Sequence, residues 1–238
     1  MIIISGCSWG VGEWGKDPRT KSPMCLTGPG LGQLISLHGK VVNLSEASSS
    51  NTQQLNYLAD FLKKFKPDNA DTFYWIVTDP LRCFIYSNTL DQLVVNQDNL
   101  ENAIRFALDN WLQQIDQLAS DNNIHINLIG GLCDLDTIDV SKYTRLKIVV
   151  PSWGKLLDST YASSIFYSNY IDVLGKLIYS TNIDLLDEWH CISELTIQKR
   201  NSMERLFKNG LSDDVFHPNR YGHRILRDYL MTDVSHIY

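Results

Sequence analysis

Five short apolar runs, each rich in β-branched or aromatic residues and each stopped by glycine, proline or a polar turn, constrain this chain more than any other feature. They fall at 1–5, 41–44, 73–77, 124–129 and 146–150. Four to six residues is strand length rather than helix length. Short runs that are mostly apolar, separated by helical stretches, read as strands covered on both faces, which is the habit of parallel sheets. The stretches between them carry helical spacing instead. Leu55, Leu58, Phe61 and Leu62 share one face after N-cap candidates at 48–50, and Ile104, Leu108, Leu112 and Ile115 recur across 99–118. Further helical patterns cover 161–179, 188–207 and 219–230, and 32–37 suits a short helix ending at Gly39. The segment 9–29, rich in Gly, Pro, Lys and Asp, reads as an irregular loop. With no internal repeat and no linker, strands alternating with helices predict a single α/β domain over 1–238, doubly wound on a parallel sheet.

Composition narrows the function classes. The 238 residues are 44% apolar and 11% aromatic, enough for a sizeable core and too much for general disorder. A net charge of −6 does not suit a phosphate backbone, so nucleic acid is not the expected partner. The apolar runs are too short to span a bilayer, and no basic segment leads into an apolar one at the N-terminus, so a cytoplasmic chain without a membrane partner is expected. Cys7, Cys25, Cys83, Cys133 and Cys191 are widely spaced, odd in number and without a C-x-x-C pair, which reads as free thiols rather than disulfides or structural zinc. The glycine pairs at 28–30 and 130–131 lack the lysine and spacing of a phosphate loop. No cofactor or metal is expected. Homo-oligomerisation is left open.

In doubly wound sheets, chemistry gathers where loops leave the carboxyl ends of strands. Directly after the first run stands Gly6-Cys7-Ser8-Trp9-Gly10. Glycines on both sides let the backbone turn sharply, presenting the Ser8 hydroxyl and directing its N–H into the same space. Near the other end, Asp214 and His217 form a D-x-x-H turn before a terminal helix that Pro218 can start. That spacing lets the carboxylate reach the imidazole, fix its tautomer and stabilise the imidazolium that a serine nucleophile requires. The run 6–10 also satisfies G-x-S-x-G, the α/β-hydrolase signature, but in that fold several strands precede the nucleophile and here only one can.

A serine after the first strand combined with a late D-x-x-H turn resembles the SGNH (GDSL-like) hydrolases. Gly6-Cys7-Ser8 stands where the family's first block has Gly-Asp-Ser, and Asp214-Val-Phe-His217, continued by Pro218, Asn219, Gly222 and His223, is similar to its last block. The resemblance spans nearly the whole chain, and small stand-alone members that look like this are common among tailed-phage proteins, which would allow a virion-associated location. It implies a three-layer α/β/α sandwich with parallel strands in the order 2-1-3-4-5, and a Ser8–His217–Asp214 triad. The family completes its oxyanion hole with a glycine after strand two and an asparagine after strand three. Here Ser48 stands at the glycine's place, donating through its backbone N–H beside that of Ser8, and Thr78 or Asp79 at the asparagine's, with Thr78 able to donate through its hydroxyl.

The resemblance favours short acyl esters, and Trp9, Trp14, Trp75 and Trp153 near the strand ends point to O-acetyl groups on carbohydrate. Trp9 is expected to stack on a sugar, Asn51 to reach ring hydroxyls, and Arg82 to hold an anionic or carbonyl group. The partner expected is thus a small ester or acylated glycan. The altered middle blocks keep a rival open: an SGNH-fold protein, weakly active or non-catalytic, with a binding or structural role.

Overall fold

Strand backbone groups taken out of water need hydrogen-bond partners, and five strands of this chain supply them to one another in one parallel sheet. The computed structural model describes residues 1–15, 25–47, 49–78, 80, 97–131, 133, 135–157, 218 and 220–234. In chain order its elements are β1 (Ile2–Gly6), α1 (Ser8–Val11), β2 (Gly12–Gly15), β3 (Cys25–Pro29), α2 (Leu31–Ile35), β4 (Val41–Asn43), α3 (Asn51–Lys64), β5 (Thr72–Val77), α4 (Gln97–Asp121), β6 (Ile126–Gly130), β7 (Leu146–Val150), α5 (Trp153–Leu157) and α6 (Arg220–Val234). The sheet runs β4-β1-β5-β6-β7, every pair parallel. Numbered among themselves, its strands stand in the expected order 2-1-3-4-5.

Alternation along each strand divides the core into two layers. Ile3, Phe73 and Trp75 face Leu58 and Leu62 of α3 and Leu108, Trp111 and Leu112 of α4. Trp75 and Trp111 meet with ring centroids 5.3 Å apart. Ile4, Tyr74 and Ile76 face the other way, against Trp9, Leu31, Ile35, Trp153 and Leu226. Helices on both faces of a parallel sheet make a three-layer α/β/α sandwich. Among the described residues no helix is long and apolar enough to cross a membrane.

Two departures from expectation have local causes. The segment read as an irregular loop holds α1 and an antiparallel hairpin of β2 and β3, with Gly12 opposite Pro29 and Glu13 opposite Gly28. Strands of four and five residues, Gly-Glu-Trp-Gly and Cys-Leu-Thr-Gly-Pro, carry no hydrophobic period to read. After Pro151, expected only to end a strand, Ser152 accepts the Lys155 N–H at 3.2 Å and starts α5. The helical patterns at 161–179 and 188–207 lie outside the described residues.

Gly6 is where β1 crowds β5. Its φ is +157°, and a Cβ built there would lie 2.8 Å from the Ile76 Cβ and 3.0 Å from the Ile76 carbonyl oxygen. No rotamer change relieves a clash with backbone. Gly6→Ala is therefore expected to destabilise the fold by about 1–3 kcal/mol, seen as a lower urea midpoint at unchanged slope. A variant as stable as the wild type would contradict this packing.

Candidate active site

β1 ends in the middle of the sheet and delivers its next residues into the space between the exits of β4 and β5. Cys7 is extended (φ −87°, ψ −157°) and Ser8 opens α1, whose turn closes with the Gly10 N–H donating to the Cys7 carbonyl at 2.9 Å. Ser8 is 5% exposed. The β4 exit pins α1 from the side: Asn43 Nδ2 donates to the Gly10 carbonyl at 2.9 Å, while Asn43 Oδ1 accepts the Ser45 N–H at 3.0 Å. Gly10 permits this approach, since a Cβ there would fall 2.2 Å from Ser45 Oγ.

The first turn of α3 binds these exits together. Ser50 is the residue chosen from the three cap candidates, and it forms a capping box with Gln53: the Gln53 N–H donates to Ser50 Oγ at 3.2 Å and the Ser50 N–H to Gln53 Oε1 at 2.8 Å. Such a cap contributes about 1 kcal/mol. Glu46, in the loop before the helix, accepts from the Tyr57 hydroxyl, and that hydrogen bond holds the phenol above its ordinary range.

Asn51, expected to contact substrate, has another task. Its Nδ2 donates to the Thr78 carbonyl at 2.9 Å and its Oδ1 accepts the Thr78 N–H at 3.0 Å. At 5% exposed, it fastens the β5 exit to α3 rather than facing a ligand. The Thr78 N–H is thereby spent, so only its hydroxyl can serve an oxyanion. That Oγ1 is fully buried, with no hydrogen-bond partner among the described residues.

Gln54, one turn on from Asn51, is a site residue that the hydrophobic pattern does not reveal. The Ser5 hydroxyl donates to its Oε1 at 2.7 Å, the Gly6 N–H donates to the same oxygen at 3.1 Å, and its Nε2 donates to Ser49 Oγ at 2.7 Å. The inward stripe of α3 runs Asn51, Gln54, Leu58, Leu62, polar beside the strand exits and apolar beyond them. Leu55 and Phe61, expected on that stripe, are only half-buried.

Trp9 is likewise corrected. It is 1% exposed, its ring edge-on to Trp153 at 5.4 Å between centroids, so it offers no face for stacking on a sugar. Trp153 continues to His223 at 5.1 Å and donates its indole N–H to the Gly222 carbonyl at 3.3 Å. This aromatic row ties α1 to the start of α6. Trp75 and Trp153 are core residues too. Ser48, Asp79, Arg82, Asp214 and His217 lie outside the described residues, as does the Trp14 side chain.

Among the described residues no cluster of three or more His, Cys, Asp or Glu side chains is placed to hold a metal. No protein-family model matches the chain, and no curated protein matches it. In three dimensions the chain is similar to protein YxiM from Bacillus subtilis, at 14% identity and a TM-score of 0.41 over 98% of this chain and 56% of that one. The chain thus spans little more than half of that protein's length.

Asn51→Ala leaves the Thr78 N–H and carbonyl buried without their partner and is expected to cost about 1–3 kcal/mol in chemical denaturation. A variant of full stability whose only defect is a raised KM would restore the substrate-contact reading.

Proposed function

We propose that the chain is a serine ester hydrolase of the SGNH type. The observation that carries this reading is the placement of Ser8: the first residue of a tight turn at the carboxyl end of the second strand in the order 2-1-3-4-5, between the exits of its two neighbours. In this reading Ser8 Oγ attacks the ester carbonyl while His217 takes its proton. The tetrahedral intermediate collapses as His217 protonates the leaving alcohol, and water then attacks the acyl-enzyme with His217 again as base. Asp214 orients His217. The N–H groups of Ser8 and Ser48 and the Thr78 hydroxyl stabilise the oxyanion, each such donor contributing about 10²–10³ in turnover.

Short acyl esters, acetyl first, are the substrates we assign. With Trp9, Trp75 and Trp153 inside the core, the carbohydrate assignment loses three of its four candidate stacking faces and rests mainly on the absence of an apolar lid pattern and the acidic charge balance. One observation favours the rival, a non-catalytic binding or structural protein on the same fold: Ser8 and Thr78 are both buried.

Turnover of p-nitrophenyl acetate decides between the two. The wild type is expected to hydrolyse it and Ser8→Ala to lose about 10³-fold or more in kcat. A wild type without turnover on nitrophenyl esters of any chain length and on acetylated glycans would favour the rival. An active wild type matched by Ser8→Ala would remove Ser8 from the chemistry. Preference for long acyl chains would overturn the acetyl assignment.

A further inference from the structure

A buried primary amide is costly unless its hydrogen-bonding capacity is used. Gln54 is fully buried, on a stripe whose next two members are leucines, and its amide bonds the end of β1 and the loop after β4. Both lone pairs of Oε1 are taken, one by the Ser5 hydroxyl and one by the Gly6 N–H. Nε2 donates to Ser49 Oγ, whose own proton goes to the Glu46 carbonyl at 2.7 Å, with the Gly6 carbonyl farther off at 3.3 Å. The Gly6 carbonyl also accepts the Glu46 N–H at 3.1 Å. Both backbone polar groups of Gly6, two residues before the nucleophile, are therefore fixed by the 46–54 segment.

An apolar residue would fill the same space but leave the Ser5 hydroxyl and the Gly6 N–H buried without their acceptor, at the desolvation cost of both groups. Nor can hydrocarbon set direction and distance. We propose that Gln54 is the positioning residue for Ser8, its amide fixing the reach between the nucleophile turn and the loop after β4 that faces it. The proposal rests on the hydrolase reading. It concerns neither binding nor proton transfer, so its signature is a loss confined to kcat. A reacting atom misplaced by about 1 Å costs on the order of 10²-fold.

The experiment is steady-state hydrolysis of p-nitrophenyl acetate by the full chain, beside thermal unfolding of each variant. Gln54→Leu is expected to stay folded, to lose about 10- to 100-fold in kcat, and to keep KM within about threefold. Ser49→Ala, which removes the acceptor of Gln54 Nε2 together with the Ser49 Oγ bond to the Glu46 carbonyl and keeps both bonds to Oε1, is expected to lose about 3- to 10-fold at unchanged KM, and it decides the matter if Gln54→Leu does not fold. An active wild type with unchanged kcat in the folded variant, or a loss expressed in KM alone, overturns the positioning role and leaves the hydrolase reading standing. A wild type without turnover sinks both.

Discussion

The close approach of β1 to β5 at Gly6 and Ile76 is the contact on which the rest of the site depends. With no Cβ between them, the two exits lie side by side, and the chain leaving β1 turns at once into the helix that begins with Ser8. A turn this tight leaves backbone groups that the sheet no longer serves. The first turn of α3 serves them: Gln54 takes up the β1 exit and Asn51 the β5 exit, three residues apart and hence on one face. One helical turn thus sets the separation of the two strand ends.

The opposite side of Ser8 is built from different material. Trp9, Trp153 and His223 meet edge to face and join α1 to the start of α6, the helix that directly follows the D-x-x-H turn. Polar clamps on one side and a buried aromatic row on the other constrain Ser8. Trp9, Trp75 and Trp153 therefore stiffen this fold, and recognition of a sugar would need side chains other than these three.

The strands, the parallel sheet and its covering helices were legible because they follow from hydrophobic period and length, whereas the strand order came from the resemblance to the SGNH hydrolases. The run 146–150 became β7 without change, and the 73–77 run gained only Thr72. What escaped lacks periodicity or depends on contacts distant in sequence. The short β2–β3 pair has no hydrophobic period. Asn51 and Gln54 read as ordinary polar helix residues until β1 and β5 are placed beside them, 27 residues from Asn51 to Thr78 and 48 from Gln54 to Gly6. Trp9 failed for a related reason: a glycine-rich loop suggests exposure, whereas α1 folds its ring onto Trp153. A polar residue on an otherwise apolar helical stripe, in the turn nearest the strand exits, is the signal that would have exposed Gln54.

Chemical capture of the nucleophile tests the central claim most directly. The protein is treated with a small fluorophosphonate, digested, and the adduct located by peptide mass spectrometry. A serine held at a strand exit and activated by a histidine should take up one equivalent at Ser8, with labelling lost in His217→Ala. Adducts spread over several serines, or an unmodified Ser8 in a folded protein, would contradict a nucleophile at the end of β1.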